Sequence, residues 1–242
     1  MSLSISEKFV SIQGEGKYSG LPHAFVRTKG CNIDCTWCDT PQRFEGTPTE
    51  EADVVSWLRE QYDLKNVQHV CFTGGEPMMR RKSLLRIMTA FPAPAYHVET
   101  NGTIKLTDDE VRAFDSVCVS PKPPSAQHKQ PLAGVAASEA LQRQKVFVED
   151  AFCSWLGKDP DIVYFKFVVD GRDWDWIRAI IARIPPQYDV YLQPQTYQEN
   201  PYLDFAGFIE ETLESGFPGP TGPSLRFTAR VHELCWGDAP GR

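Results

Sequence analysis

The chain has 242 residues, enough for one large α/β domain or two small ones with a substantial core. Its apolar content of 41% and charged content of 24% are ordinary for a soluble globular protein. A formal net charge of −7 argues against a broad nucleic-acid or anionic-membrane surface, which needs clustered positive charge, but leaves room for a small anionic substrate gripped by one buried arginine.

Residues 8–13 read as a short strand that runs into Gln13-Gly14-Glu15-Gly16. Two glycines around a carboxylate suggest a tight turn that brings backbone close to something. Residues 24–28 read as a buried strand carrying one cation, Arg27. Arginine there is either an ion-pair partner or the side chain best shaped to grip a carboxylate. Next comes the loop Gly30-Cys31-Asn32-Ile33-Asp34-Cys35-Thr36-Trp37-Cys38-Asp39-Thr40. Thr47-Pro48-Thr49-Glu50 is predicted to start a helix, with Thr47 as cap and Glu50 completing a capping box. Strand 67–72 ends in Thr73-Gly74-Gly75-Glu76-Pro77, and an amphipathic helix holding Leu84, Ile87 and Met88 follows. Strand 96–99 ends in Glu99-Thr100-Asn101-Gly102, and Thr107-Asp108-Asp109-Glu110 starts another capped helix. Strand 116–119 ends in Ser120-Pro121-Lys122.

Residues 122–138 have no periodicity and read as an exposed loop; 140–156 are ambiguous between loop and helix. Then come strand 163–169, helix 174–184, strand 190–192 ending in Gln193-Pro194-Gln195-Thr196, and helix 205–213. Prolines and glycines forbid regular structure over 216–223, and a last strand, 225–231, leads to His232. Alternating strand, polar loop and helix imply βα units around a parallel sheet. The polar signatures fall at strand C-terminal ends, the face where ligands bind in barrels and open α/β sheets.

Seven cysteines cannot form a complete disulfide framework, so a reducing cytoplasm is the expected compartment. No secretory signal is visible at the N-terminus, and no apolar run is long enough to cross a bilayer. Cys71 and Cys118 fall inside strands and read as core. Cys31, Cys35 and Cys38 are different: three soft ligands in eight residues favour zinc, copper(I) or an iron–sulfur cluster. A structural zinc site and an ordinary cubane both take four protein ligands, so three leave one metal position open. The competing reading is a zinc knuckle completed by Cys71, Cys118, Cys153 or Cys235 in a binding module.

Taken together, these segments resemble the 7-carboxy-7-deazaguanine synthase family of the radical S-adenosylmethionine (SAM) superfamily. The resemblance runs through Gln13 to Gly16, Arg27, the cysteine loop to Thr40, 73–77, 99–102, 120–122 and His232. It implies an incomplete, modified (β/α) barrel of parallel strands with outer helices, a single domain over 1–242, and a homodimer. It implies a [4Fe–4S] cluster on Cys31, Cys35 and Cys38, magnesium at Thr40, and SAM near Trp37, Cys38, Asp39, Gly75 and Glu76. Glu99, Asn101, Ser120, Pro121 and Lys122 would complete the SAM pocket, with Gln193, Pro194, Gln195 and Thr196 as a looser match. Ile12, Gln13, Gly14, Glu15, Arg27, Thr73 and His232 would hold a pterin substrate, 6-carboxy-5,6,7,8-tetrahydropterin. An electron donor such as flavodoxin or ferredoxin would be needed, and neither nucleic acid nor membrane is expected as a partner. Residues 122–161 look long for a connection in this family and read as an insertion or exposed region. A glycyl-radical-enzyme activase would share the triad and the Gly-Gly-Glu loop but not Gln13, Glu15 and Arg27.

Overall fold

The computed structural model describes residues 1–127, 145–196 and 201–237, apart from the side chain of Pro41. Strand β1 (Ser2–Ile12) turns at 13–21 and pairs antiparallel with β2 (Pro22–Thr28). Its other edge pairs antiparallel with the short β3 (Thr47–Glu50). From β2 onward the neighbours are parallel: β4 (His69–Gly74), β5 (Ala95–Thr100), β6 (Ser116–Val119), β7 (Val163–Val169), β8 (Asp189–Pro194) and β9 (Ser224–Phe227). One nine-stranded sheet runs β3-β1-β2-β4-β5-β6-β7-β8-β9, and its edge strands β3 and β9 do not pair with each other. The result is an open barrel rather than a closed one.

Strand side chains alternate between two faces. Ala24 and Val26 of β2, Val70 and Phe72 of β4 and Tyr96 and Val98 of β5 join the main core outside the sheet. The helices covering that face are α1 (Glu51–Lys65), α2 (Arg81–Ala90), α3 (Asp108–Arg112), α4 (Glu149–Trp155), α5 (Trp174–Ile181) and α6 (Pro201–Ser215). Leu58, Leu84, Ile87, Trp155, Ile177 and Phe208 are their fully buried anchors. Each such side chain contributes roughly 1.5–3 kcal/mol on burial. The intervening strand residues, including Arg27, Thr73, Glu99 and Lys166, face the barrel interior, where they line a cavity. No helix among the described residues is long and apolar enough to cross a membrane.

Three sequence expectations are corrected. Residues 47–50 form β3, not a helix start, because their backbone pairs with residues 2–5; α1 begins at Glu51, and Glu50 makes no side-chain cap. The final strand stops at Phe227, and a short helix α7 (Val231–Trp236) carries His232. Finally, the start of the predicted exposed loop is built into the fold. Ala126 is fully buried, its carbonyl accepts Thr36 N at 3.0 Å, and Gln127 bridges to Cys35. Downstream, Phe152 and Trp155 are core residues. The rest of that loop and the start of the ambiguous 140–156 stretch lie outside the described residues.

Candidate active site

A cavity of about 480 Å³ opens at the C-terminal ends of the parallel strands. The cysteine loop leaves β2 at Gly30 and folds across this mouth. It is pinned by Gly30 N donating to Arg43 O at 2.7 Å, Glu76 N donating to Gly30 O at 2.9 Å, and a buried Arg43–Asp34 ion pair. Asn101 reaches from the end of β5, donating to Asn32 Oδ1 at 3.0 Å and touching Cys31 Sγ at 3.9 Å. Gly75 has to be glycine: a Cβ there would sit 2.0 Å from Gly30 O.

Cys31, Cys35 and Cys38 all reach the cavity wall. Burial pushes the Cys31 and Cys35 thiols up to about 12, and raises Cys38 as well. They are thiols until a metal displaces their protons, so metal loading is coupled to proton release. Cys71 and Cys118 are buried in strands, Cys118 packing with Tyr164 and Tyr191, while Cys153 and Cys235 are exposed. None of those four joins the wall. Three soft donors facing an open cavity suit an iron–sulfur cluster with one iron left for another ligand.

Below the loop lies a buried charge network. Lys166 of β7 pairs with Glu15 Oε2 at 2.5 Å and with Glu99 Oε2 at 3.5 Å. Arg230 holds Glu15 Oε1 at 2.6 Å, Asp39 Oδ2 at 2.7 Å and Thr196 Oγ1 at 2.8 Å, and also pairs with Glu233. Burial alone would raise Glu15, but Lys166, then Arg230 and His232, outweigh it and hold the carboxyl well below the usual range. Burial opposes charge on Lys166 too, yet Glu15 and Glu99 keep it firmly protonated. On the opposite wall Arg27 stands 3.1 Å from Glu7 and 3.5 Å from Thr40 Oγ1.

Of the residues singled out in the sequence, Ile12, Gln13, Gly14, Glu15, Arg27 and Thr73 lie on this wall. So do His232, Trp37, Asp39, Thr40, Gly75, Glu99, Asn101, Ser120 and Lys122. Gly14 and His232 are in contact, since a Cβ on Gly14 would fall 1.8 Å from His232 Nδ1. Glu76 and Pro121 lie off the wall, as do Gln193, Pro194, Gln195 and Thr196. The Glu76 carboxylate is buried and occupied, accepting from Met78 N, Thr100 Oγ1 and Asn101 N at 2.7–2.9 Å. It braces the strand ends. Among the wall residues that escaped the sequence reading, Lys166 and Arg230 carry the buried charge network. Lys166 left a trace, one charge in the apolar run Val-Tyr-Phe-Lys-Phe-Val-Val, whereas Arg230 left none.

The Radical SAM superfamily profile matches residues 25–120, the segment that contains the three thiols. With an open parallel barrel bearing those thiols at its mouth, it defines a radical SAM enzyme. The chain is 30% identical to 7-carboxy-7-deazaguanine synthase of Thermoplasma acidophilum, over 98% of this chain and 99% of the relative. It is 33% identical to the synthase of Halobacterium salinarum, over 99% of this chain and 92% of the relative. It thus belongs to the 7-carboxy-7-deazaguanine synthase family, whose cofactors are a [4Fe–4S] cluster and SAM. Its fold matches the crystal structure of QueE from Escherichia coli with a TM-score of 0.65 at 21% identity, covering 96% of this chain and 95% of that one.

Proposed function

We propose that this enzyme converts 6-carboxy-5,6,7,8-tetrahydropterin to 7-carboxy-7-deazaguanine with loss of ammonia. The change is an elimination with ring contraction: one nitrogen leaves as ammonia and no net oxidant is consumed. Cys31, Cys35 and Cys38 would hold the cluster, and SAM would lie against Trp37, Asp39, Gly75, Glu99, Asn101 and the 120–122 turn. When bound, cluster and SAM supply a 5′-deoxyadenosyl radical able to take hydrogen from C6 of the substrate.

The observation that carries this reading is the meeting of Arg27 and Thr40, 3.5 Å apart, on the wall that bears the three thiols. Arg27 would grip the substrate carboxylate, and Thr40 would offer a hard oxygen to a magnesium ion on the same group. Gln13, Glu15 and His232 would receive the polar edge of the pterin. Because Lys166 and Arg230 already fix Glu15, its charge needs no reorganisation when the substrate arrives. Trp37, placed with Lys122 over its ring at 5.9 Å, would shield the cluster side of the pocket from water. An external one-electron reductant of the flavodoxin or ferredoxin type, and a homodimer, belong to the same proposal.

The test is anaerobic incubation of cluster-loaded protein with SAM, dithionite and the carboxytetrahydropterin, followed by mass spectrometry. Formation of the deazaguanine acid and ammonia is expected. SAM cleavage that leaves the pterin untouched would overturn the reading and favour an activase.

A further inference from the structure

We propose that His23, His69 and His97 form a binding site for a zinc-class divalent cation at the N-terminal end of the barrel interior, beneath and independent of the cavity described above. The three residues sit on the adjacent strands β2, β4 and β5. The register pairs His23 with His69, and Cys71, two residues beyond His69, with His97. They share the inward face with Phe25, Arg27, Thr73 and Glu99, which line the cavity above.

The rings form a nearly equilateral triangle. Their centroids lie 5.1 Å (His23–His69), 5.1 Å (His23–His97) and 5.2 Å (His69–His97) apart. A zinc–imidazole bond of about 2.0–2.1 Å puts each ring centre about 3.2 Å from the ion, so three rings at tetrahedral angles have centres about 5.2 Å apart. One nitrogen from each ring lies within 4.8 Å of one from each of the others. His69 Nδ1 and His97 Nε2 are already 3.0 Å apart, against about 3.3 Å for two nitrogens on one tetrahedral ion. Without a metal this contact is a hydrogen bond; an ion would take the place of its proton, which moves to the other nitrogen of the ring that carried it.

The second observation concerns His23. Its Nδ1 lies 2.9 Å from Leu21 O, which can only accept, so Nδ1 carries the proton and Nε2 the lone pair. That Nε2 is fully buried and has no hydrogen-bond partner. A buried acceptor left bare is costly unless something coordinates it. His97 Nδ1 is held by Ser116 Oγ at 2.7 Å, the outer hydrogen bond that orients a metal-bound imidazole. Burial also keeps His23 and His97 neutral, pushing them down to about 4 and about 3. Tyr18 covers the cluster, its ring centroid 4.3 Å from that of His97. His69 is only half-buried and gives an ion a way in. Three imidazoles and no carboxylate suit zinc, or cobalt, nickel or copper in its place, rather than magnesium or calcium.

The test uses cluster-loaded protein, freed of loose metal with a chelator and titrated anaerobically with zinc against a chromophoric competitor. One zinc per chain is expected in addition to the iron, with a zinc-edge absorption spectrum showing imidazole nitrogens and no sulfur. His69→Gln is expected to weaken zinc at least tenfold at unchanged iron content, and Ser116→Ala by about tenfold. A sulfur shell, no retained zinc, or unchanged affinity in His69→Gln would overturn the proposal. Should His69→Gln fail to fold, the scattering shell of the wild-type protein decides alone.

Discussion

Gly75 is constrained by contact, since the carbonyl its missing Cβ would strike belongs to Gly30, the first residue of the cysteine loop. Backbone cannot swing aside as a side-chain tip can. Gly75→Ala is therefore expected to cost about 1–3 kcal/mol, as overpacking does, and to lower Tm by roughly 3–10 °C. Iron bound after reconstitution should fall with it, because the displaced loop carries the thiols; full iron loading would contradict this. Lys166 poses a different problem at the same scale. Lys166→Met keeps the shape but strips a cation from buried Glu15, and loss of one partner of such a pair costs roughly 3 kcal/mol or more. The charge balance also sets a pH dependence. Unfolding returns Glu15 to about 4.3, so above that pH its contribution is complete. Below it, the unfolded chain binds a proton that the folded chain refuses, and stability falls by about 1.4 kcal/mol per pH unit. Glu15→Gln lacks this increment. Urea midpoints of wild type and Glu15→Gln should converge as pH drops from about 5 to about 3; parallel curves would count against it.

At the scale of elements, two stretches with the same local chemistry have different fates. Thr107 and Glu110 form a complete capping box, Thr107 Oγ1 accepting Glu110 N at 3.2 Å and Glu110 Oε2 accepting Thr107 N at 2.9 Å. Thr47 and Glu50 have the same spacing, yet their segment is β3. The difference is tertiary: β1 extends back to Ser2 and offers residues 47–50 a partner edge, and Glu51 N then bonds Met1 O. Thr107→Ala is accordingly expected to cost about 1 kcal/mol, and exposed Thr47→Ala less than about 0.5 kcal/mol, by denaturant titration. The reverse order would mean that the caps had been misread. The βα alternation was legible because most helices advertise their own periodicity and the parallel strands their apolar runs; β3, Thr-Pro-Thr-Glu, has no such run. Which strand face turns inward was not, because a strand buried on both faces shows no alternation. That is why Lys166 went unassigned and why His23, His69 and His97, scattered in sequence, gave no sign of meeting.

The whole molecule is an open barrel whose seam is closed by its C-terminal segment. The wall residues at strand ends could be collected from sequence, since topology sends those ends to one face. The seam could not: Arg230 reaches Glu15 across 215 positions, and no local pattern records such a contact. Val231 N also donates to Gly14 O at 3.0 Å, so α7 is tied to the turn after β1, and His232, Glu233 and Gly237 complete the wall. Among the described residues this segment shapes the side of the cavity that bears Gly14 and Glu15, and its Arg230 also holds Asp39, next to Cys38. Ending the chain after Ala229 should thus separate two properties. Iron per chain after reconstitution should stay near the wild-type level, because the truncation severs the Arg230–Asp39 pair but leaves the loop anchors at Arg43, Asn101 and Ala126 intact. Turnover of the carboxytetrahydropterin should fall by at least about 100-fold, the scale of loss when a reactant is misplaced by an ångström. Arg230→Lys keeps the charge but not the planar fork that serves Glu15, Asp39 and Thr196 together, and should fall between the two. If the shortened enzyme turned over normally, the C-terminal segment would be a lid in appearance only, and the substrate would have to be held by the β1 turn and Arg27 alone.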